Sequence, residues 1–214
     1  MRILLARHGE TEWNREGRYQ GQEDIPLSDT GVKQALRLGE RLRDVRIDRA
    51  VASPLGRAYD TARLALGDAR ADMIEVDQGL MEIAHGTWEG KLASEISETD
   101  PERLAAWRES PDKVQMPGGE SLRTVLERAW PSFAQACEGL GPEDTLFLVS
   151  HDAVNRVLLC RVLGLPLFRL WTFRQAPATL NLLEGPDPAH LEVVRLNDCA
   201  HHTLLFGEAV HRAL

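Results

Sequence analysis

The run Ile3-Leu-Leu-Ala6, which stops at Arg7-His8-Gly9, constrains this chain more than any other stretch. A short continuous apolar run that ends at glycine reads as a strand buried on both faces, as in a parallel sheet. The carboxyl ends of such strands face the ligand crevice of open α/β folds. A cation and an imidazole delivered together to that point suit an anionic ligand.

Two later segments repeat the form. Arg49 to Ala52 reads as a weak strand ending at Ser53-Pro54, with serine at the N-cap and proline at the first position of a helix running to about Leu66. Thr145 to Val149 is the clearest strand; it ends at Ser150-His151-Asp152, and an apolar helix follows from Ala153 to Leu163. Arg57 falls in the first turn of its helix, where the helix dipole disfavours a cation. Either it is solvated at small cost, or an anion binds there and makes it favourable. Met73 to Val76 is a further strand, leading to Glu82. If these strands run parallel, right-handed crossovers bring Arg7, His8, Arg57 and His151 to one sheet edge, within reach of Glu82.

The rest of the chain frames that edge. Glu10 to Asp24 reads as an ordered loop, and Ser28 or Asp29 caps a helix with Val32, Ala35, Gly39, Leu42 and Val45 on one face. Ile83 to Gly119 is an excursion, helical but polar from Lys91 to Ser110, of the kind that forms lids and specificity elements. Ser121 caps a helix reaching about Cys137, with a bend expected at Pro131. Residues 179–183 and 191–196 read as two strands joined at Gly185-Pro-Asp-Pro188. With no repeat or linker in view, the expectation is one α/β domain over residues 1–214 with an inserted helical cap at about 83–119.

Charge narrows the partners. Acidic side chains outnumber basic ones, 33 to 25, for a formal net charge of −8. A dedicated nucleic-acid or anionic-membrane surface wants a basic face, so neither partner is expected. A small anion still fits wherever arginines gather. Cys137, Cys160 and Cys199 are odd in number and lack metal-like spacing, so they read as free thiols. No apolar stretch suits a signal peptide or a membrane span, which makes the cytoplasm the expected location. His8, His85, His151, Asp152 and Glu82 are the imaginable metal ligands, but no His-x-His or Glu-x-x-His spacing supports them. Neither a metal nor another cofactor is expected, and His201, His202 and His211 are assigned no role.

Two histidines, two arginines and a carboxylate are what phosphoryl transfer through a nucleophilic histidine needs. The nucleophile is a neutral imidazole with one nitrogen held as a donor. Neighbouring arginines disfavour its protonation and neutralise the phosphoryl oxygens. A second histidine donates to the equatorial oxygens, and a carboxylic acid protonates the leaving oxygen before taking a proton from water. Partial burial of Glu82 raises its pKa towards that task.

Arg7-His8-Gly9-Glu10-Thr11, with Trp13-Asn14 behind it, resembles the signature of the histidine phosphatase superfamily, the phosphoglycerate mutase-like proteins. Leu27-Ser-Asp-Thr-Gly31, Ser53-Pro-Leu-Gly-Arg-Ala58, Glu82 with Gly86-Thr-Trp-Glu-Gly90, Pro117-Gly-Gly-Glu-Ser121 and Val149-Ser-His151 follow in the family's order. The resemblance implies a three-layer α/β/α sandwich with a mostly parallel central sheet. It implies a phosphohistidine at His8, a pocket of Arg7, Arg57 and His151, and Glu82 as proton donor. Asn14 matches a position that helps to hold the phosphate, and Gln20 and Gly21 lie where the loop closes over it. Asp152 departs from the glycine or alanine often found after the second histidine, and the helical pattern beyond it favours a capping role. Asp60 stands where glutamine is frequent.

Within the family, Ile83 to Gly90 resembles the phosphatase branch rather than the mutases. Between Lys91 and Met116 only Arg103 and Arg108 are arginines, so a second anionic group on the substrate has few partners. The expectation is a metal-independent phosphatase of small phosphorylated metabolites. The alternatives are a phosphoglycerate mutase primed by bisphosphoglycerate and a non-catalytic phosphate-binding protein. Trp88, Trp107 and the region Phe168 to Gln175 are candidate specificity walls or core, and Trp171 and Phe173 are candidates for a homodimer interface.

Overall fold

Alternation along the first strand divides the core in two. In the computed structural model, which describes residues 1–203, β1 spans Arg2–Arg7. It sends Ile3 and Leu5 to one face and Leu4 and Ala6 to the other. The remaining strands are β2 (Arg49–Ala52), β3 (Ile74–Val76), β4 (Thr145–Ser150), β5 (Leu180–Glu184) and β6 (Glu192–Asp198). They form a six-stranded sheet in the order β3-β2-β4-β1-β5-β6. The pairs β1 with β4, β4 with β2, and β2 with β3 are parallel. Only β5 and β6 join in antiparallel sense. The sheet is mixed and mostly parallel, as the buried apolar runs imply.

Helices cover both faces. On the Leu4 face lie α2 (Asp29–Arg41), through Leu38, and α3 (Gly56–Leu66), through Ala58, Ala62 and Ala65. On the Ile3 face lie α6 (Leu122–Cys137), through Val125, Ala129 and Phe133, and α7 (Asp152–Val162), through Val154, Val157 and Leu158. The architecture is α/β/α in three layers. The excursion carries two short helices, α4 (Ala93–Thr99) and α5 (Pro101–Glu109). The break falls at Asp100-Pro101, because proline disfavours the α conformation in the residue before it. Ile83, Trp88, Ile96, Leu104 and Trp107 share one apolar cluster with Ile3 and Leu5, so this segment is packed down onto the main core.

Three local readings change. The loop after His8 contains a helix of one turn and a half, α1 (Glu12–Glu16), closed by a capping box between Thr11 and Asn14. Helix α3 starts at Gly56 with Leu55 at the N-cap, two residues later than Ser53-Pro54 suggests. Asp152 is the first residue inside α7 and not its cap; His151, extended at φ −125° and ψ 177°, takes the N-cap position. Helix α6 runs on through Pro131. No helix among the described residues is long and apolar enough to cross a membrane. His211 lies outside the described residues.

Candidate active site

His8 is delivered by the end of β1 and locked by backbone. Its N–H donates to the Ser150 carbonyl at 3.0 Å, and its own carbonyl accepts from Ala178 N at 2.9 Å. The following Gly9 N–H donates to Thr61 Oγ1 at 2.9 Å, and that hydroxyl donates to the Arg57 carbonyl at 2.7 Å. The loop also needs glycine across from it: a Cβ on Gly31 would lie 2.1 Å from the Glu10 carbonyl oxygen. His8 Nδ1 sits 2.6 Å from the Gly9 carbonyl oxygen. A carbonyl only accepts, so Nδ1 carries the hydrogen and the neutral ring keeps its lone pair at Nε2. That is the tautomer a nucleophile requires.

His151 arrives from the end of β4, and its ring centroid is 5.1 Å from that of His8. Its Nε2 is 2.7 Å from Ser53 Oγ, which explains why Ser53 does not cap α3. Burial holds the His151 pKa well below the usual histidine range, and the Arg57 and Arg7 charges push the same way.

The two arginines are fully sequestered. Arg7 is 1 % exposed and Arg57 0 %. Arg57 donates to the Glu23 carbonyl at 2.8 Å and the Gly21 carbonyl at 2.7 Å, which folds the Gln20-to-Asp24 loop over the site. Gly21 turns there at φ +55°, where a side chain would be strained. Arg7 donates to the Gln175 carbonyl at 2.5 Å. Burial lowers the pKa of both, that of Arg57 to about 10. The Nε of each is a buried donor with no partner among the described residues. Two desolvated cations with unused donors beside an imidazole nucleophile form a receptor for a tetrahedral anion.

Asn14 and Gln20 complete that wall. Asn14 Oδ1 accepts from Thr11 N at 3.1 Å, and Thr11 Oγ1 donates to Gln20 Oε1 at 3.0 Å, leaving Gln20 Nε2 buried without a partner among the described residues.

Glu82 faces the arginines with 7 % exposure. Its Oε1 accepts from Ile83 N at 2.9 Å and its Oε2 from Ala153 N at 3.4 Å. Burial raises its pKa and the nearby Asp152 carboxylate adds to the rise; the Ile83 N–H and the two arginines oppose it. Asp152 itself turns towards the cleft. It pairs with Arg156 one helical turn on at 3.0 Å and with Arg7 at 3.5 Å. The capping expectation for Asp152 is therefore corrected: buried guanidiniums on both sides offer its carboxylate more than a cap does.

Tyr19, His85, Trp107 and Trp171 wall the cleft. Their rings meet edge to face: Tyr19 with His85 at 5.0 Å, His85 with Trp107 at 5.9 Å, and Trp107 with Trp171 at 5.3 Å. Arg156 lies over Trp171 at 5.1 Å and Phe173 at 5.8 Å. Trp88 is core, donating to Asp100 at 3.2 Å and packing on Tyr19. His201 and His202 meet edge to face and do not line the cleft.

The sequence profile of the histidine phosphatase superfamily (branch 1) matches residues 3–199. The chain belongs to this superfamily. Phosphoserine phosphatase 1 of Hydrogenobacter thermophilus is 35% identical over 214 residues, covering 100% of both chains. A probable phosphoglycerate mutase of Cronobacter sakazakii is 35% identical over 78% of this chain and 77% of its own. The solved structure of mycobacterial glucosyl-3-phosphoglycerate phosphatase with VO3 superposes with a TM-score of 0.82 at 31% identity, covering 92% of this chain and 98% of that one. The chain is a phosphatase of the superfamily, a hydrolase of phosphate monoesters.

Of the residues that histidine phosphatase motifs point to in this sequence, Arg7, His8, Asn14, Gln20, Gly21, Arg57 and Glu82 line one cleft, and the His151 ring lies 5.1 Å from that of His8. Ser53, Arg156, Glu120 and Arg128 carry site contacts that no sequence signal assigned to them. The Asp152–Arg156 spacing of four residues was the one legible hint.

Proposed function

We propose that the chain hydrolyses small phosphate monoesters through a phosphohistidine at His8, without a metal. His8 Nε2 attacks phosphorus in line while the ester P–O bond breaks, and the Glu82 carboxylic acid gives its proton to the leaving oxygen. Water then attacks the phosphohistidine, Glu82 takes its proton, the N–P bond breaks and inorganic phosphate leaves. Arg7, Arg57 and His151 hold the phosphoryl oxygens, and Asn14 and Gln20 close over them. The observation that carries this reading is the pair of buried guanidinium Nε donors, without a partner among the described residues, beside an imidazole whose lone pair is at Nε2.

His8→Ala should abolish turnover of p-nitrophenyl phosphate, and acid-quenched wild type should hold phosphate bound through nitrogen. Near-normal turnover by the variant, or loss of wild-type activity in EDTA, would sink the mechanism. The full-length likeness to a phosphoserine phosphatase makes O-phosphoserine the first physiological substrate to test. The mutase reading draws support from a relative's name; added 2,3-bisphosphoglycerate would then drive phosphoglycerate interconversion far faster than hydrolysis.

Residues 83–119 act as the cap of a single domain in this reading, setting specificity through Trp107. A cytoplasmic location and a homodimer belong to the same proposal; fractionation and sedimentation test them.

A further inference from the structure

The backbone around Glu82 is held by a pair of residues that do not line the cleft. Arg128, on α6, spends three of its five N–H donors on that backbone and the other two on its partner, Glu120. Nη1 donates to the Gly79 carbonyl at 2.9 Å and the Met81 carbonyl at 2.6 Å, and Nη2 to the Glu82 carbonyl at 3.0 Å. The remaining two N–H groups form a fork onto Glu120, Nε to Oε1 at 2.7 Å and Nη2 to Oε2 at 2.8 Å. Glu120 Oε2 also accepts from Ala84 N at 2.9 Å. The backbone on both sides of Glu82 is thereby pinned to one guanidinium–carboxylate unit. Glu120 is fixed in turn, since its own N–H donates to the Ala84 carbonyl at 2.9 Å. A Cβ on Gly119 would lie 2.1 Å from that same carbonyl oxygen, so the two segments touch backbone to backbone.

We infer that Glu120 and Arg128 are positioning residues that set the place of the Glu82 carboxyl against the leaving oxygen. The inference rests on the proposed role of Glu82 as proton donor. Arg128 and Glu120 are partly exposed, at 23% and 17% of their side chains, and an ion pair so placed adds little stability by itself. Its geometry has another use. A short carboxylate side chain inherits its position from its backbone, and a proton donor works only within hydrogen-bond reach of the atom it serves. Lysine has three donors on a point charge and cannot reproduce a planar five-donor clamp.

A merely structural clamp and a positioning clamp differ in what they do to different leaving groups. Nitrophenolate departs with little proton donation, whereas the alkoxide of glycerol 2-phosphate needs it. The test is kcat/KM, which covers only steps up to departure of the leaving group, for p-nitrophenyl phosphate and glycerol 2-phosphate. Wild type, Arg128→Lys, Glu120→Gln and Glu82→Gln are compared. The ratio of the two values on one sample is independent of the folded fraction.

In Glu82→Gln the aryl-to-alkyl ratio should rise by about 10²- to 10⁴-fold, the range of a lost general acid. In Arg128→Lys it should rise by about 10²-fold, as for a displacement of about 1 Å. Glu120→Gln keeps an acceptor for Ala84 N–H and should shift the ratio in the same direction by less. Adding Arg128→Lys to Glu82→Gln should change the ratio no further. An unchanged ratio in both Arg128→Lys and Glu120→Gln, with Glu82→Gln still moving it, would overturn the inference alone. An unchanged ratio in Glu82→Gln would overturn the proton-donor reading, and the clamp's role with it.

Discussion

His151 and Ser53 meet at 2.7 Å, ring Nε2 to hydroxyl oxygen, across the ends of two adjacent parallel strands. The contact joins residues 98 apart in sequence and orients the second imidazole of the site. Ser53→Ala removes it without adding bulk. The expected loss is about 1 kcal/mol, roughly fivefold in kcat/KM, as for a typical hydrogen bond. Steady-state kinetics on p-nitrophenyl phosphate measure it, and unchanged activity would show that the hydroxyl does not orient the ring.

Asp152 and Glu82 are linked through charge. The Asp152 carboxylate helps to raise the Glu82 pKa, second only to burial. Only the protonated Glu82 can serve the leaving oxygen, so kcat/KM for an alkyl monoester should fall as pH rises through that pKa. Asp152→Asn removes one upward contribution, and the alkaline limb should move to lower pH. A limb that stays in place or moves up would contradict the coupling.

Glu82 should also trade stability for chemistry. Its folded pKa lies above the ordinary 4.5, so its favourable contribution is complete below about that pH and is lost as pH rises through the folded value. Glu82→Gln cannot ionise. At pH 7 it should be more stable than wild type in urea and at pH 4 nearly equal, even as its activity collapses. Equal stability at both pH values would refute the raised pKa.

Most of this frame was legible because it depends on local pattern. Ile3 to Ala6 and Leu146 to Val149 are continuous apolar runs, and they lie in β1 and β4, which pair in parallel at the centre of the sheet. The polarity and motif positions of Arg7, His8, Arg57, Glu82 and His151 carried them to one cleft. What escaped depends on distance or on single rotamers. Spacing alone cannot tell an N-cap from the first helical residue, so Asp152 read as a cap. Helix α1 is five residues long and has no apolar period to detect. Arg128 on an amphipathic helix looks like any solvated arginine; its carbonyl partners lie 46 to 49 residues away.

Gly31 marks where α2 presses on the loop that follows His8. Its missing Cβ would stand 2.1 Å from the Glu10 carbonyl oxygen, and backbone cannot swing aside as a side chain can. Gly31→Ala should destabilise the fold by about 2 kcal/mol, within the usual cost of overpacking. Urea unfolding measures this. Activity per folded molecule should fall as well, because the shifted segment adjoins Gly9, whose carbonyl fixes the His8 tautomer. A variant that matches wild type in both would show that the loop can move away freely.

His85 links the cleft wall to acid sensitivity. Burial lowers its pKa from 6.5 to about 4, and the nearby carboxylates of Asp152 and Glu120 only partly oppose this. The unfolded chain takes up a proton at His85 below about pH 6.5 and the folded chain does not until about pH 4. Stability attributable to this neutral imidazole is therefore full above pH 6.5 and lost as pH falls to about 4. The loss amounts to about 3 kcal/mol across that window at 1.36 kcal/mol per pKa unit. His85→Phe keeps a ring of similar shape between Tyr19 and Trp107 and has nothing to titrate. Urea unfolding of both proteins at pH 7, 5.5 and 4 should show the variant losing less stability than wild type by about that amount. His151, buried and lowered in the same direction, is common to both and cancels in the difference. Parallel stability curves would mean that the His85 ring is protonated as readily in the fold as outside it.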